Sequence, residues 1–455
     1  MKHSWKNSGR ADASRRGTIL IMTSAGLIAM VGMMLLVMQS GLMMDLRRRA
    51  QNATDAAALA AAQALVRQQS SQQATADAND FINNYHGLSG AAVAVSMPPV
   101  TGPYAGRMGY CETRVQLESS GGLFSMFSGQ SGSPVRARAV AGYRSVSSSE
   151  MVIALDRRAT PGLNCVGNGE LRIDGGCITN SQGWGVDESG VAVAGTVNGY
   201  AGNIGSNGSF TGRSFRICGG VNSPAGFRPW VPGGDNPLHC RSNLVPDPLL
   251  FLPTPTVSNG VIHVDRGRVS ISSTGYTGTL SPGIYSNIAI SGGTVTFQPG
   301  IYVIRGGELK ITGGNVTGRG VMFYITMNDY QPGTGLPDSQ DLETLPVTSN
   351  AKRGGISVTS SPTLTGYNNP DSPFHGMLFY LRRRNDSAVT VAGNAVAGQV
   401  VGTVYSKWSQ LTLTGQGVFN TQFVVGNVKW SGNGNMTLTA TGYDLAKASL
   451  VYLVE

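Results

Sequence analysis

Between positions 18 and 44 the chain carries 27 consecutive residues without a charge, TILIMTSAGLIAMVGMMLLVMQSGLMM. As an α-helix this run is about 40 Å long, more than the ~30 Å of a bilayer's hydrocarbon core. A helix apolar on every side is not the surface helix of a water-soluble domain, so a membrane-spanning segment is expected. Five basic residues precede it (Lys2, Lys6, Arg10, Arg15, Arg16), and three follow (Arg47, Arg48, Arg49), with Asp45 beside them. That bias predicts a cytoplasmic N-terminus, with the large remainder of the chain on the other side of the membrane. No small-x-small pattern ends the segment, which predicts an anchor that is not cleaved.

A formal net charge of +9 raises the question of nucleic acid. Its distribution answers it: residues 1–49 hold +6, and the other 406 residues carry only +3. The excess therefore sets membrane topology, and nucleic acid is not an expected partner. Charged residues make up 13% of the chain and glycine supplies 63 positions, about half the charge and twice the glycine of an ordinary domain. Glycine follows no three-residue period, which excludes collagen, and apolar residues recur in short alternating runs, which excludes wholesale disorder.

All five cysteines lie beyond the apolar run, and four of them, Cys165, Cys177, Cys218 and Cys240, fall within 76 residues. Disulfides suit an exported body, and of the three connectivities 165–177 with 218–240 is the simplest. Isolated thiols and a zinc site stay open, although there is no CxxC and only His239 lies nearby.

Past the membrane segment, residues 45–90 lack proline and are rich in Ala, Gln and Leu, which predicts a helical stalk. Ala56, Ala57, Ala60, Ala61 and Ala64 form a stripe of small side chains that would let another helix approach closely. Residues 91–150 show three alternating stretches, AAVAVSMPPV, GYCETRVQLE and SPVRARAVAGYRS, with an apolar turn at 122–127 and a linker at 146–150. A long helix followed by a few strands is the outline of a pilin-like α+β module.

From 151 to 455 glycine supplies 48 of 305 residues, and short strands alternate with Gly-Gly and Pro-Gly. Pro282-Gly283-Ile284-Tyr285 recurs 17 residues on as Pro299-Gly300-Ile301-Tyr302, and the Gly pair at 292–293 recurs 21 residues on. Strands this short cannot each bury a face alone, but stacked coils bury them in one continuous core. The expected fold is mainly β: a transmembrane helix, a small pilin-like module and a Gly-rich parallel β-helix. An antiparallel sandwich is the competing architecture. Val295, Phe297, Leu309, Ile311, Val321, Phe323, Leu411, Leu413 and Val425 are the expected inward residues. The polar stretch 326–355 should loop out, and Trp408 and Trp430, one coil apart, should sit in the core or in a stacking ladder, with stacking on a sugar as the alternative.

The N-terminal sequence resembles the TadE/TadG-like pilus-assembly family. The resemblance rests on Arg15-Arg16-Gly17, the apolar segment, Asp45, Arg47 to Arg49, and QNATDAAALAAA at 51–62; this last run is closest to the TadG branch. It covers roughly residues 15–65, with an echo at 134–142. It implies a single-pass inner-membrane protein of the tight-adherence (Flp) pilus machinery with a periplasmic body. Pilus-assembly proteins or pseudopilins are its implied partners, and cell-wall or envelope glycans are a further class. Two features depart from relatives. The position five after Gly17 is Met22 rather than a Glu, which argues against pilin-type processing. MVIALDRRATPG at 151–162 opens like a von Willebrand A metal site but lacks both serines, and Arg157 and Arg158 would repel a cation beside Asp156.

Catalytic signatures are missing: no GxSxG, HExxH, GxxxxGK[ST] or GxGxxG occurs. Parallel β-helices include glycan-cleaving enzymes, and the acids available for a catalytic pair are Asp174, Asp187, Glu188, Glu308, Asp371 and Asp386. Only Asp187 and Glu188 adjoin, and strand neighbours point to opposite faces. No cofactor, metal site or catalytic residue is expected. Arg382-Arg383-Arg384 is expected to form a solvated coil edge that blocks strand addition, with an acidic glycan or lipid head group as the alternative ligand. The reading is a structural, non-enzymatic component of pilus assembly; a membrane-tethered glycan-binding or glycan-cleaving β-helix and a surface adhesin are the alternatives.

Overall fold

A computed structural model describes residues 11–454 apart from 67–70, 89, 108, 119–133, 147–149, 206, 251, 342–350, 441–445 and 447. The turn expected at 122–127, most of the linker at 146–150 and the first ten residues of the basic leader lie outside the described residues. The chain divides into two units, Met1–Arg144 with Leu450–Glu455, and Ser145–Ser449.

In the first unit one uninterrupted helix, α1 (Ala11–Val66), contains the whole apolar run and continues past it. Helix α2 (Ser71–Asp80) and a π-turn at Phe81–Tyr85 follow. Strands Ala92–Ser96, Tyr110–Leu117 and Val135–Val146 pair antiparallel, with Val93 opposite Val115 and Val115 opposite Ala137. Ala448–Leu453 adds the fourth strand, beside Val135–Val146. The alternation VRARAVA buries Ala137, Ala139 and Ala141 in a cluster with Ala53, Ala57 and Ala61 of α1. Alanine on both partners lets helix and sheet backbones approach closely, and Gln51 fixes the register by donating to the Arg138 carbonyl at 3.1 Å.

The second unit is a parallel β-helix. Coils such as Gly300–Arg305, Leu309–Ile311 and Asn315–Gly318 place one short strand on each of three faces. Parallel register then runs from coil to coil: Ile288, Leu309, Ile356, Val389 and Leu411 stack on one face. Tyr302, Phe323 and Phe379 stack on another. All nine expected inward residues lie in this core and are essentially inaccessible to solvent. Extensive parallel pairing excludes the sandwich. Gly283 and Gly300 of the repeated motif have φ of 155° and 140°, at or near the edge of the range open to other residues.

Coil order in the stack differs from coil order in the sequence. The unit's first strand, Glu150–Ala154, docks on the last coil, with Val152 opposite Phe423 and Ala154 opposite Val425. Cys165 lies opposite Trp430, and Leu171 opposite Met436. Gly167 and Gly169 make this junction possible, because a Cβ there would lie 2.1 and 2.0 Å from the Gly432 and Gly434 carbonyl oxygens. The coil containing Glu170–Thr179 continues outward through Ser209–Ile217 to Leu238–His239. Asp265–Ile271 pairs instead with Gly283–Ile290, at the start of the sequential stack. Residues 240–264 therefore run as a strap between the two ends of the stack.

The strap covers an outer face that is apolar too. Ile284, Val303, Tyr324, Tyr380 and Tyr405 point outward in register and are buried beneath Leu249, Leu252 and Val261. This is why VMFYI and MLFYL are apolar at every position: those strands are buried on both faces.

Three expectations are corrected here. The described part of the 326–355 insertion does not loop out: Met327, Tyr330, Asp338 and Asp341 are buried. Arg382 and Arg383 are not a solvated edge, since both are buried. Arg383 donates to the Leu249 and Leu252 carbonyls of the strap at 3.0 and 2.5 Å, giving its charge a fixed set of acceptors. Finally, Trp408 is half-buried and lines an outer cavity rather than joining the core, whereas Trp430 is in the core as expected and donates to the Gly169 carbonyl.

Candidate functional site

The feature with the clearest chemical meaning is α1. Residues 19–42 are exposed along the helix, with only Leu35 and Gln39 half-buried. Ile19, Leu20, Ile28, Met34 and Val37 each leave 60–75% of their surface uncovered. The helix is long and apolar enough to cross a membrane, and none of its most hydropathic window is buried. An apolar surface of this extent is unfavourable in water and suited to lipid.

Within eight residues the same helix has a different environment. Arg47, Arg48 and Arg49 are exposed at the transition, with Arg49 paired to Asp45 at 2.9 Å one turn earlier. Arg15 and Arg16 fall within the helix, but their side chains lie outside the described part. Ala57, Ala60, Ala61 and Ala64 are buried and Ala56 is half-buried. Most of the stripe is covered by α2 and the sheet of its own unit. Cys111 donates to the Ala58 carbonyl at 3.1 Å, and burial pushes its thiol up to about 12.

The sheet is braced by Glu112, whose side chain is 1% exposed. Its carboxylate accepts from the Val100 N–H (2.8 Å), the Thr101 hydroxyl (2.5 Å), Arg114 Nε (2.9 Å) and Arg138 Nε (2.6 Å). Burial alone would raise its pKa, but the bonds from Thr101, Arg138, Val100 and Arg114 outweigh it and hold the carboxyl at about 2. Glu112→Gln is expected to destabilise this unit by about 3 kcal/mol at pH 7. A depressed pKa means the contribution is full above about 4.5 and is lost as the pH falls through about 2. Thermal unfolding of the two proteins should therefore differ most at neutral pH and converge in acid.

The four clustered cysteines stand as separate thiols. Cys165 is stacked between Trp430 and Ile204, and Cys177 between Val152 and Phe215, both at inward core positions. Burial pushes Cys165 up to about 11 and Cys177 further still. Cys218 and Cys240, half-buried, face the Asn180 side-chain oxygen and the Val186 carbonyl. Three of the six acids form local ion pairs: Asp174 with Arg213 at 2.7 Å, Asp187 with Arg241 at 3.2 Å, Asp386 with Arg353 at 2.9 Å. Glu188 accepts from the Cys240 N–H at 3.0 Å. Asp156 follows the strand Glu150–Ala154 and accepts from the Arg158 N–H at 2.9 Å.

Sequence reasoning missed Glu112 and the role of Gln51. The signal for Gln51 was its place in the QNATDAAALAAA run; Glu112 sits in an ordinary alternating strand and gave none.

A mainly β chain led by a long apolar helix, with the helix's second half packed on a small sheet, is the class that fold and site define. Residues 17–64 match the model of the Tad family, described as Flp pilus-assembly TadE/G-like. The matched stretch holds the apolar run, the three arginines and the Ala stripe. No curated protein and no solved structure matches the chain.

Proposed function

We propose that this protein is a structural, non-catalytic component of Tad/Flp pilus assembly, of the TadG branch, anchored in the bacterial inner membrane by residues 18–44. The observation that carries the reading is the division of α1: exposed and apolar through residue 42, then buried as an Ala-rich packing element, all within the family-matched stretch. The N-terminus lies in the cytoplasm, and both the pilin-like head and the β-helix lie in the periplasm. The helix holds the head close to the membrane surface, where Arg47 to Arg49 meet lipid phosphates. The β-helix, rigid because its coils share one core, offers contacts to pilus proteins, cell wall or envelope glycans.

Cell fractionation and protease protection test the anchor. The chain should sediment with inner membranes, and protease added to spheroplasts should digest everything beyond the apolar run. Full protection in spheroplasts, or recovery as a soluble protein, would overturn the topology.

A further inference from the structure

Where the strap begins, the β-helix encloses an open cavity of about 300 Å³, lined in part by Asp156, Arg157, Arg158, Asp247, Lys407 and Trp408. This is the lower end of the range for small-molecule sites. Lys407 is 6% exposed, yet its ammonium makes no hydrogen bond among the described residues. Its nearest opposite charge is Asp247, at 3.6 Å. A buried group with three donors and no acceptor is costly, and an oxygen supplied from the cavity would relieve it.

The surrounding charges narrow the ligand. Asp247 accepts from the Tyr405 hydroxyl at 2.7 Å and the Leu249 N–H at 3.0 Å. Asp156 uses Oδ1 on the Arg158 N–H. Arg157 is exposed and makes no ion pair among the described residues. Three cations against two carboxylates leave one positive charge in excess. Arg158 and Lys407 each lie 5.9 Å from the centroid of the Trp408 ring. A singly charged anion balances this set, whereas a phosphate dianion would also face two carboxylates. A pyranose would suit the remainder, with its hydroxyls donating to Asp156 and Asp247 and its C–H face on the indole.

We propose that this cavity binds a saccharide residue carrying one carboxylate, with Lys407 and Arg157 on the carboxylate and Trp408 under the ring. The inference deepens the envelope-glycan contact proposed above and rests on it for its biological setting. Its test is made on purified protein, so its outcome is independent of pilus formation.

Titration calorimetry on the full chain in detergent compares sodium glucuronate with glucose, which has the same ring without the carboxylate, and with inorganic phosphate. Glucuronate should bind on the order of tenfold more tightly than glucose, and phosphate should not displace it. Arg157→Gln, at an exposed position, should weaken glucuronate binding by a similar factor with the unfolding temperature unchanged; Trp408→Ala should weaken glucuronate and glucose alike. Equal binding of the two sugars, displacement by phosphate at matched concentration, or unchanged glucuronate affinity in Arg157→Gln would each overturn the proposal.

Discussion

Replacing Arg382 with methionine should lower the stability of the β-helix unit by about 3–5 kcal/mol, the usual cost of removing one partner from a buried ion cluster. Arg382 is 2% exposed and is shared by three carboxylates: Asp341 at 2.6 Å, Asp329 at 2.7 Å and Asp338 at 3.0 Å. Asp338, buried, also accepts from the hydroxyls of Tyr324 and Thr326. These bonds hold the described part of the insertion onto the outer face of the β-helix. Burial pushes the Asp338 carboxyl from its usual 3.8 up to about 6, against the pull of Arg382, Thr326 and Tyr324.

A raised carboxylate pKa means that the folded unit binds the proton more tightly than the unfolded chain. The contribution of Asp338 is thus fully present below about 3.8 and is lost as the pH rises through about 6. The wild-type unit should gain stability from this group on going from pH 7 to pH 5. In Arg382→Met the acids have lost their cation, so the penalty should be larger at pH 8 than at pH 5. Calorimetric unfolding at both pH values reads this directly, with the transition of each unit followed separately, because a two-unit chain has no single unfolding free energy. An equal loss at the two pH values would mean that Arg382 acts by packing alone.

Phe323→Ala is the second large effect, expected to cost the same unit about 3–5 kcal/mol. Phe323 is inaccessible to solvent and lies in an aromatic stack. Its ring centroid is 5.2 Å from Tyr302, 5.7 Å from Phe379 and, edge to face, 5.1 Å from Phe297. Neighbouring coils hold their backbones in register through parallel hydrogen bonds, so they cannot collapse to fill the cavity. Phe323→Leu, which keeps much of the volume, should cost markedly less. Comparable losses for both variants would contradict the cavity account and show that ring shape, not buried volume, carries the contribution.

The repeat was legible because its physics is local. A strand of three to six residues between Gly pairs fixes which side chains point inward, and Val295, Phe297, Leu309 and Ile311 followed from alternation alone. Coil order was not legible, since a ladder of Val, Ile and Leu pairs as well with one coil as with another. Only close backbone approaches such as Gly169 on Gly434 mark the junction between first and last coils. The strap escaped notice because residues 240–264 have no period of their own and pair with almost nothing by backbone.

Its cover could have been inferred from VMFYI and MLFYL, which are too apolar for strands with one wet face. The burial of Arg382 and Arg383 is hidden from the sequence for a related reason. A run of charge normally marks solvent, and nothing local told that Arg382 would meet aspartates about 40 to 50 residues earlier. At the N-terminus the apolar run was unmistakable. The destination of the Ala stripe was not, because alanine suits an external helix and an internal sheet equally well.

Deletion of the gene, followed by electron microscopy of the cells for Flp-type pili, tests the central claim most directly. The account predicts that pili are lost or sharply reduced. The full-length gene should restore them, and a version lacking residues 18–44 should not. Normal piliation and normal adherence in the deletion strain would contradict a role in pilus assembly.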